Sequence, residues 1–322
     1  MAKSFKPKPL EQQTLVITGA SSGIGLATAE MAARRGANVV ICSRNEEDLR
    51  SIAEKLNVTG GSVLPVRADV RSLADLDNVR REAESKFGNI DTWVNNAGGS
   101  VYGPLLEIPE AEERELFETN FWGVRHGCHV AVDAMRARGG VLVNIGSEVS
   151  ARSIPLQGIY SCTKHAVKAY TDALRMELSF DKIPIEVCLI RPTAINTPFP
   201  DHAVNRLRNG EPSLPDPAYH PDYVAEAILK CAVDPERDIY VGAPSMMTAV
   251  MEFLMPETTD MYMEKKLFKD QSKGTSLNHD RKNEGLFNAP PHEGELTGHH
   301  RGKIKEKKNM KERHLTDDHS HH

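Results

Sequence analysis

The chain has few of the features that mark several large classes of protein. Its 322 residues include five cysteines, which are scattered and form no Cys-x-x-Cys pair. Their number and spacing indicate neither a disulfide framework nor a zinc site, so we expect a reduced, cytoplasmic protein without a metal. No apolar run reaches the roughly 18 residues that a membrane-spanning helix needs. The N-terminal residues also lack the apolar segment of a secretion signal.

An excess of basic residues is absent as well. Lysine and arginine number 40 against 45 aspartates and glutamates, which gives a formal net charge of -5. A surface that binds nucleic acid normally shows as a basic excess, so we expect no nucleic-acid partner. Hydrophobic residues make up 39% of the chain, enough to fill a sizeable globular core.

What the sequence does contain is an alternation of short apolar runs with longer helical stretches. The predicted strands cover residues 14–18, 38–42, 62–67, 90–95, 141–145, 185–190 and 238–241. The predicted helices cover residues 23–35, 46–56, 73–87, 111–138, 158–180 and 222–232. This alternation predicts an α/β fold: a doubly wound parallel sheet of the Rossmann type, with helices on both faces in three layers. Ligands of such sheets bind beyond the carboxyl ends of the strands.

Composition divides the chain into four parts. We expect an N-terminal arm over residues 1–12, a single catalytic domain over residues 13–245 and a helical extension over residues 246–269. Residues 270–322 carry few apolar side chains and dense mixed charge, which predicts a disordered or loosely attached polar tail. Residues 193–220 are rich in proline, asparagine and aspartate without a strand pattern, which favours a substrate loop.

A glycine-rich sequence, Thr-Gly-Ala-Ser-Ser-Gly-Ile-Gly, follows the first predicted strand and opens the first predicted helix. Glycine permits a tight turn and lets the backbone and helix approach a pyrophosphate closely. The N–H groups and partial positive charge of the helix N-terminus favour an anion there. Tight packing of small residues is the alternative reading of these glycines. The predicted phosphate-binding residues are Gly19, Ser21, Ser22, Gly23, Ile24 and Gly25.

The end of the second predicted strand favours NADP(H) over NAD(H). An acidic residue there binds the ribose 2′-hydroxyl of NAD, but this chain has Ser43 and Arg44, with no acid before Glu46. The planar set of donors on arginine suits a 2′-phosphate. A solvated surface role for Arg44 is the alternative.

Tyr160 and Lys164 are four residues apart in a predicted helix, which places them on one face. A free tyrosine has a pKa near 10, and a neighbouring ammonium together with an oxidised nicotinamide favours its ionised form. This pair alone is common in surface helices. It becomes specific beside Ser147 at the end of a predicted strand, Asn120 in a helical stretch, and Asn-Asn-Ala-Gly at residues 95–98.

Together these residues closely resemble the short-chain dehydrogenase/reductase superfamily, in its single-domain branch, over about residues 14–241. The resemblance implies that Tyr160 exchanges a proton with the substrate oxygen and that Ser147 hydrogen-bonds this oxygen. It implies that Lys164 binds the nicotinamide ribose and lowers the pKa of Tyr160. Asn120 then helps to hold a water on the proton path, and Asp69 contacts the adenine. Other implied cofactor contacts are Val70, Asn96, Ala97, Gly98, Pro192, Thr193, Ile195 and Thr197.

One position departs from the family pattern. Thr193 stands where the family usually has the glycine of a Pro-Gly pair, and we expect it to narrow the nicotinamide pocket or shift its loop. Thr197 still falls where the family places a threonine against the carboxamide.

The sequence therefore predicts an NADP(H)-dependent oxidoreductase that transfers a hydride to or from a small, partly apolar carbonyl or alcohol. The alternatives are an isomerase, epimerase or dehydratase on the same fold, and an NADP-binding sensor or scaffold with little turnover. The resemblance also implies a homodimer or homotetramer built on helices 111–138 and 158–180. Residues 99–102, 148–157 and 198–220 are the expected pocket walls. Their expected apolar members are Val149, Ile154, Leu156 and Phe199.

Overall fold

The structure is a computed structural model that describes residues 5–58, 62–242, 256–273, 284–290, 294–300 and 302–306. The strands of its main sheet are β1 (Thr14–Thr18), β2 (Asn38–Ser43), β3 (Ser62–Arg67), β4 (Thr92–Asn95), β5 (Gly140–Ile145), β6 (Ile185–Pro192) and β7 (Asp238–Val241). The helices are α1 (Gly23–Arg34), α2 (Glu46–Val58), α3 (Leu73–Phe87), α4 (Glu110–Phe117), α5 (Gly123–Met135), α6 (Gly158–Phe180), α7 (Asp222–Val233), α8 (Pro256–Asp270) and α9 (Glu284–Phe287).

The main sheet is parallel, with its strands in the order β7-β6-β5-β4-β1-β2-β3. The chain winds outward from β1 to β3, then returns to β4 on the other side of β1. The order therefore reverses between β1 and β4, the kind of crevice where such sheets bind ligands. The predicted doubly wound α/β fold is confirmed.

Two apolar layers cover the faces of the sheet, because successive strand side chains point in opposite directions. In β1, Leu15 and Ile17 pack with α1, α2 and α7, whereas Val16 packs with α3, α5 and α6. All three side chains are fully buried. A strand buried on both faces is a continuous apolar run, which is why β1 was recognisable in the sequence.

The predicted helix over residues 111–138 is interrupted. A turn of π-helix, Glu118–Trp122, separates α4 from α5 and carries the buried Asn120. Helices with such a turn often contribute to functional sites. Gly123 follows the turn, and a Cβ placed on it would lie 2.7 Å from a methyl carbon of Val70. The absence of a side chain at Gly123 therefore lets the helix pass close to Val70 in the loop after β3.

The described parts of the tail contact the domain, whereas the predicted disorder or loose attachment of residues 270–322 as a whole stays a prediction. Leu286 in α9 is buried among apolar residues of the cleft. Backbone ladders also attach the tail, pairing Glu211–Pro212 with Ser272–Lys273 and Ala218–Tyr219 with Ile304–Lys305. Side-chain hydrogen bonds of His299 to Asp201 and of His300 to Asp216 add to them. A third short ladder, Val101–Tyr102 with Val204–Asn205, lies within the domain.

The predicted extension over residues 246–269 is helical in its described part, α8, where Asp260 forms an ion pair with Arg152. Residues 243–255 lie outside the described residues, so the predicted boundary at residue 245 stays a prediction. Within the described ranges, no helix combines the length and apolar character needed to cross a bilayer.

Candidate active site

A cleft at the carboxyl ends of the central strands brings together most of the predicted site residues. It encloses a cavity of about 270 Å³. The predicted residues that line it are Gly19, Ser21, Ser22, Gly23, Ile24, Ser43, Arg44, Asp69, Val70, Asn96, Ala97, Gly98, Ser147, Tyr160, Lys164, Pro192, Thr193, Ile195 and Thr197. Gly25 and Asn120 lie behind this lining and do not form part of it.

The glycine loop after β1 has no room for side chains at two positions. Gly19 has a φ of +63°, and an added Cβ would lie 2.7 Å from the Cα of Ala97. At Gly25 an added Cβ would lie 2.2 Å from the carbonyl oxygen of Gly19. Gly25 therefore lets α1 pack against its own loop, and its predicted approach to a pyrophosphate stays a prediction. The open backbone at Gly19 and Gly23 fits a dinucleotide phosphate.

Hydrogen bonds fix this loop to the loop after β4. Thr18 Oγ1 accepts from the N–H groups of Asn96 at 3.0 Å and Ala97 at 3.1 Å. The Asn96 amide donates to the carbonyl oxygens of Thr18 at 2.9 Å and Gly19 at 3.0 Å. Asn96 therefore holds the two loops together as one rigid cradle.

Donors that were predicted to face cofactor phosphates bind carbonyl oxygens of the tail. The Arg44 guanidinium donates to the carbonyls of Gly285 at 2.7 Å and Leu286 at 3.2 Å. The N–H of Gly23 donates to the carbonyl of Glu295 at 2.9 Å. The donors themselves, a guanidinium and an N–H at a helix N-terminus, are of the kind that bind the phosphates of a nucleotide. Sequence reasoning missed their contacts with the tail.

Asp69 lines the cleft, but its carboxylate is held by Arg71. The Nε of Arg71 lies 2.9 Å from each oxygen of Asp69. Burial raises the pKa of Asp69, but the hydrogen bonds and charge of Arg71 outweigh it and lower that pKa below its ordinary value. Asp69 is therefore ionised and fixed in orientation at the predicted adenine end.

Tyr160 and Lys164 project from the first turns of α6 into the cleft, where Tyr160 is 9% exposed and Lys164 is 4% exposed. The Lys164 ammonium lies 5.8 Å from the centre of the Tyr160 ring and donates to the Ile145 carbonyl at 2.9 Å. Ser147 lies close enough to Tyr160 to lower the pKa of the phenol. The predicted Ser–Tyr–Lys group is thus assembled at one place.

Burial dominates the electrostatics of this group. It raises the pKa of Tyr160 to about 12, against an opposing contribution from Ser147. It lowers the pKa of Lys164 to about 8, because the neutral amine is easier to bury than the ammonium. The expected lowering of the Tyr160 pKa by Lys164 is therefore not seen in the protein alone.

Asn120 connects the loop after β4 to α6. Its Oδ1 accepts from the Gly99 N–H at 2.8 Å, and its Nδ2 donates to the Gly99 carbonyl at 3.0 Å and to Thr163 Oγ1 at 3.1 Å. The side chain thus positions the cleft rather than lining it, and its predicted water-holding role stays a prediction. The neighbouring Thr119, which the sequence did not single out, lines the cleft instead.

Thr193, the departure from the family pattern, has a specific partner. Its Oγ1 donates to Glu148 Oε2 at 3.0 Å. Its methyl group occupies the space beside Gly242, where an added Cβ would lie 2.2 Å from it. Burial raises the pKa of Glu148 to about 7, opposed by the hydrogen bond from Thr193. The sequence placed Glu148 in a predicted wall without identifying this pair.

The substrate side of the cleft has an apolar wall, made of Val149, Ile154, Phe199 and, from the tail, Leu286. The rings of Phe199 and Tyr160 meet edge to face at 5.6 Å. Leu156, predicted to join this wall, instead packs beside the pocket in a cluster with Tyr102, Ala203 and Leu207.

Known proteins share this sequence pattern and fold. The family profile described as short chain dehydrogenase matches residues 13–206. The Bacillus subtilis (strain 168) protein called uncharacterized oxidoreductase YxnA is 40% identical over 269 residues, which cover 83% of this chain and 76% of that protein.

Two solved structures extend the comparison. An alcohol dehydrogenase from the archaeon Thermococcus sibiricus, complexed with 5-hydroxy-NADP, has 29% identity and a TM-score of 0.59 over 71% of this chain and 94% of that one. A short chain dehydrogenase/reductase from Burkholderia phymatum in complex with NAD has a TM-score of 0.68 over 86% of this chain and all of that one; at 23% identity it shows the fold alone. The chain belongs to the short-chain dehydrogenase/reductase family and is an oxidoreductase that acts on CH–OH or carbonyl groups with a nicotinamide nucleotide.

Proposed function

We propose that this chain is an NADP(H)-dependent reductase of small, partly apolar ketones and aldehydes, with Tyr160 as its proton donor. The observation that carries the proposal is the assembly of Ser147, Tyr160 and Lys164 in the same cleft as the glycine loop. A scaffold that only bound the nucleotide has no need of a buried phenol and ammonium at this place.

Each residue of the group has a chemical role. When bound, the nicotinamide nucleotide supplies the hydride and, once oxidised, a positive ring charge. Ser147 donates a hydrogen bond to the substrate oxygen and holds it beside Tyr160. Tyr160, a neutral phenol at pH 7, gives its proton to that oxygen as charge develops on it. The Lys164 ammonium holds the nicotinamide ribose and favours the phenolate that remains.

The proposed function is tested by a panel of aldehydes and ketones, with NADPH consumption followed by absorbance. We expect turnover of several ketones that have an apolar substituent, because the apolar wall favours them. Tight NADPH binding without consumption across the panel would instead support the sensor or scaffold alternative.

Arg44 is the proposed determinant of the NADP(H) preference. Replacing it with alanine is expected to lower the ratio of kcat/KM for NADPH to that for NADH by about tenfold to a hundredfold. This factor corresponds to the free energy of one hydrogen bond to a charged group. Arg44 also contacts the tail, and losing that contact affects both cofactors. The ratio therefore isolates recognition of the 2′-phosphate.

Arg50→Ala is the matched control for Arg44→Ala. Arg50 lies exposed on α2 and pairs with Glu46, so its loss changes the net charge equally without touching the cleft. A wild-type preference for NADH, or an equal change of the ratio in both variants, contradicts the assignment of Arg44.

We also propose that the chain forms a homodimer or homotetramer through the α4–α5 and α6 side of the domain. Trp122, Met176 and Phe180 on these elements are 42%, 63% and 86% exposed, and large exposed apolar side chains are typical of interfaces.

Phe180→Asp is expected to weaken self-association about tenfold or more in sedimentation equilibrium. Val58→Asp is the control, because Val58 is exposed at the end of α2, and α2 packs on the other face of the sheet from α5 and α6. Unchanged association in Phe180→Asp argues against this interface.

A further inference from the structure

Glu148 is an acidic residue of the cleft for which the mechanism above has no use. It directly follows Ser147 and begins the short helix Glu148–Ser150. Its side chain lines the same cavity as Ser147 and Tyr160. Burying a carboxyl group beside apolar side chains is unfavourable unless it has partners. A polar group of the substrate would supply one.

The protein fixes only half of this carboxyl group. Oε2 accepts the hydrogen bond from Thr193, whose own side chain is held against Gly242. Oε1 forms no hydrogen bond with any residue that the structure describes. The Thr193 contact therefore orients the carboxyl group and leaves one oxygen available to the cavity.

The protonation state of Glu148 suits a hydroxyl partner. Burial raises its pKa to about 7, so both the carboxylate and the carboxylic acid are present near neutral pH. A carboxylate accepts a hydrogen bond from a hydroxyl group, and a carboxylic acid donates one to a hydroxyl oxygen. In either form Glu148 can bind a hydroxyl group, whereas it has no good partner in a purely hydrocarbon substituent.

We propose that Glu148 is a specificity-determining residue that binds a hydroxyl group on the carbon next to the reacting carbonyl carbon. This inference rests on the proposed function, because Ser147 and Tyr160 define where the reacting oxygen lies. Ser147, Glu148 and Tyr160 line one cavity, and the charge of Glu148 contributes to the raised pKa of Tyr160. The carboxyl group therefore lies near the reacting oxygen, which brings a hydroxyl group on the adjacent carbon within its reach. The favoured substrates are α-hydroxy ketones and aldehydes whose remaining part packs on the apolar wall.

Phenacyl alcohol and acetophenone test this inference, since they differ only in the α-hydroxyl group. The measured quantity is the ratio of kcat/KM for phenacyl alcohol to that for acetophenone. Glu148→Leu is expected to lower this ratio about tenfold, which is the factor that the free energy of one net hydrogen bond corresponds to. Comparing the ratio between enzymes cancels the intrinsic reactivities of the two ketones. Glu148→Gln, which can still hydrogen-bond, is expected to retain most of the ratio.

Thr193→Val tests the orienting contact. Valine keeps the branched shape and removes the hydroxyl group, so we expect a fall of about threefold in the same ratio. The double variant with Glu148→Leu should match Glu148→Leu alone, because Thr193 acts on the hydroxyl group through Glu148. Glu47→Gln, at an exposed position of α2, is the control for loss of a carboxylate.

The outcomes separate this inference from the proposed function. A tenfold fall in Glu148→Leu that glutamine largely restores supports the role of Glu148. If the wild-type enzyme and Glu148→Leu have the same ratio of kcat/KM for phenacyl alcohol to that for acetophenone, the role of Glu148 is overturned and the proposed function stays intact. No turnover of any ketone or aldehyde by the wild-type enzyme overturns both.

Discussion

Replacing Tyr160 with phenylalanine is expected to lower kcat for ketone reduction by about a thousandfold, within the range that a positioned proton donor contributes. The change removes one oxygen atom and leaves the ring, which packs against Phe199 at 5.6 Å. The proton donor, which lies beside Ser147, is lost. Single-turnover kinetics with NADPH in excess measure the effect on the chemical step.

Cofactor binding distinguishes a chemical role of Tyr160 from a structural one. The dissociation constant for NADPH should stay within about threefold of wild type, because Tyr160 loses at most one weak contact to the nucleotide. Tyr170→Phe, farther along α6 and half-buried, is the matched control and should keep its activity. Wild-type turnover in Tyr160→Phe would refute the assigned proton donor.

Replacing Lys164 with methionine is the second change with a large expected effect. Methionine is uncharged and of similar length, so it fills the same buried space without the ammonium. We expect kcat/KM for ketone reduction to fall about a hundredfold or more, because one buried charge both holds the ribose and stabilises the phenolate. The dissociation constant for NADPH should rise about tenfold.

The pH dependence gives Lys164 a signature of its own. Burial lowers its pKa to about 8, so the ammonium is present below that pH and is lost as the pH rises through it. In the wild-type enzyme, kcat/KM should fall above about pH 8, because this quantity follows the pKa of Lys164 in the free enzyme. This falling limb should vanish in Lys164→Met.

Lys168→Met provides the control for Lys164→Met. Lys168 lies one turn farther along α6, pairs with Asp172 at 2.8 Å and does not line the cleft. It should retain both the activity and the falling limb of the wild-type profile. A wild-type pH profile in Lys164→Met would contradict the role given to its ammonium.

The fold was predictable because its signals are local and repeated. Strands buried on both faces, such as β1, are continuous apolar runs, and the intervening helices have a clear apolar face. Once that order is fixed, a parallel sheet brings the loops after its strands to one edge. Gly19, Ser147 and Tyr160 are distant in the chain, yet their places after β1, after β5 and in α6 predicted a common cleft.

The unpredicted features depend on contacts between distant residues with no periodic pattern. Glu148 and Thr193 are each unremarkable alone, and only the structure shows their hydrogen bond. The tail reaches Arg44 through backbone carbonyls, which every residue carries and no composition reveals. The π-helical turn at Asn120 has no break in the helical pattern to announce it, and the bonds of Asn120 to Gly99 join residues that are distant in the sequence.

Deuterium transfer tests the central claim most directly. The enzyme is given a ketone and NADPH that carries deuterium at the transferable position of the nicotinamide, and the alcohol is analysed by mass spectrometry and NMR. The account predicts one deuterium on the former carbonyl carbon, and it predicts that Tyr160→Phe forms this deuterated alcohol about a thousandfold more slowly. NADPH that binds in the cleft but delivers no deuterium to any ketone, or formation of the deuterated alcohol at an equal rate by the Tyr160 variant, would contradict it.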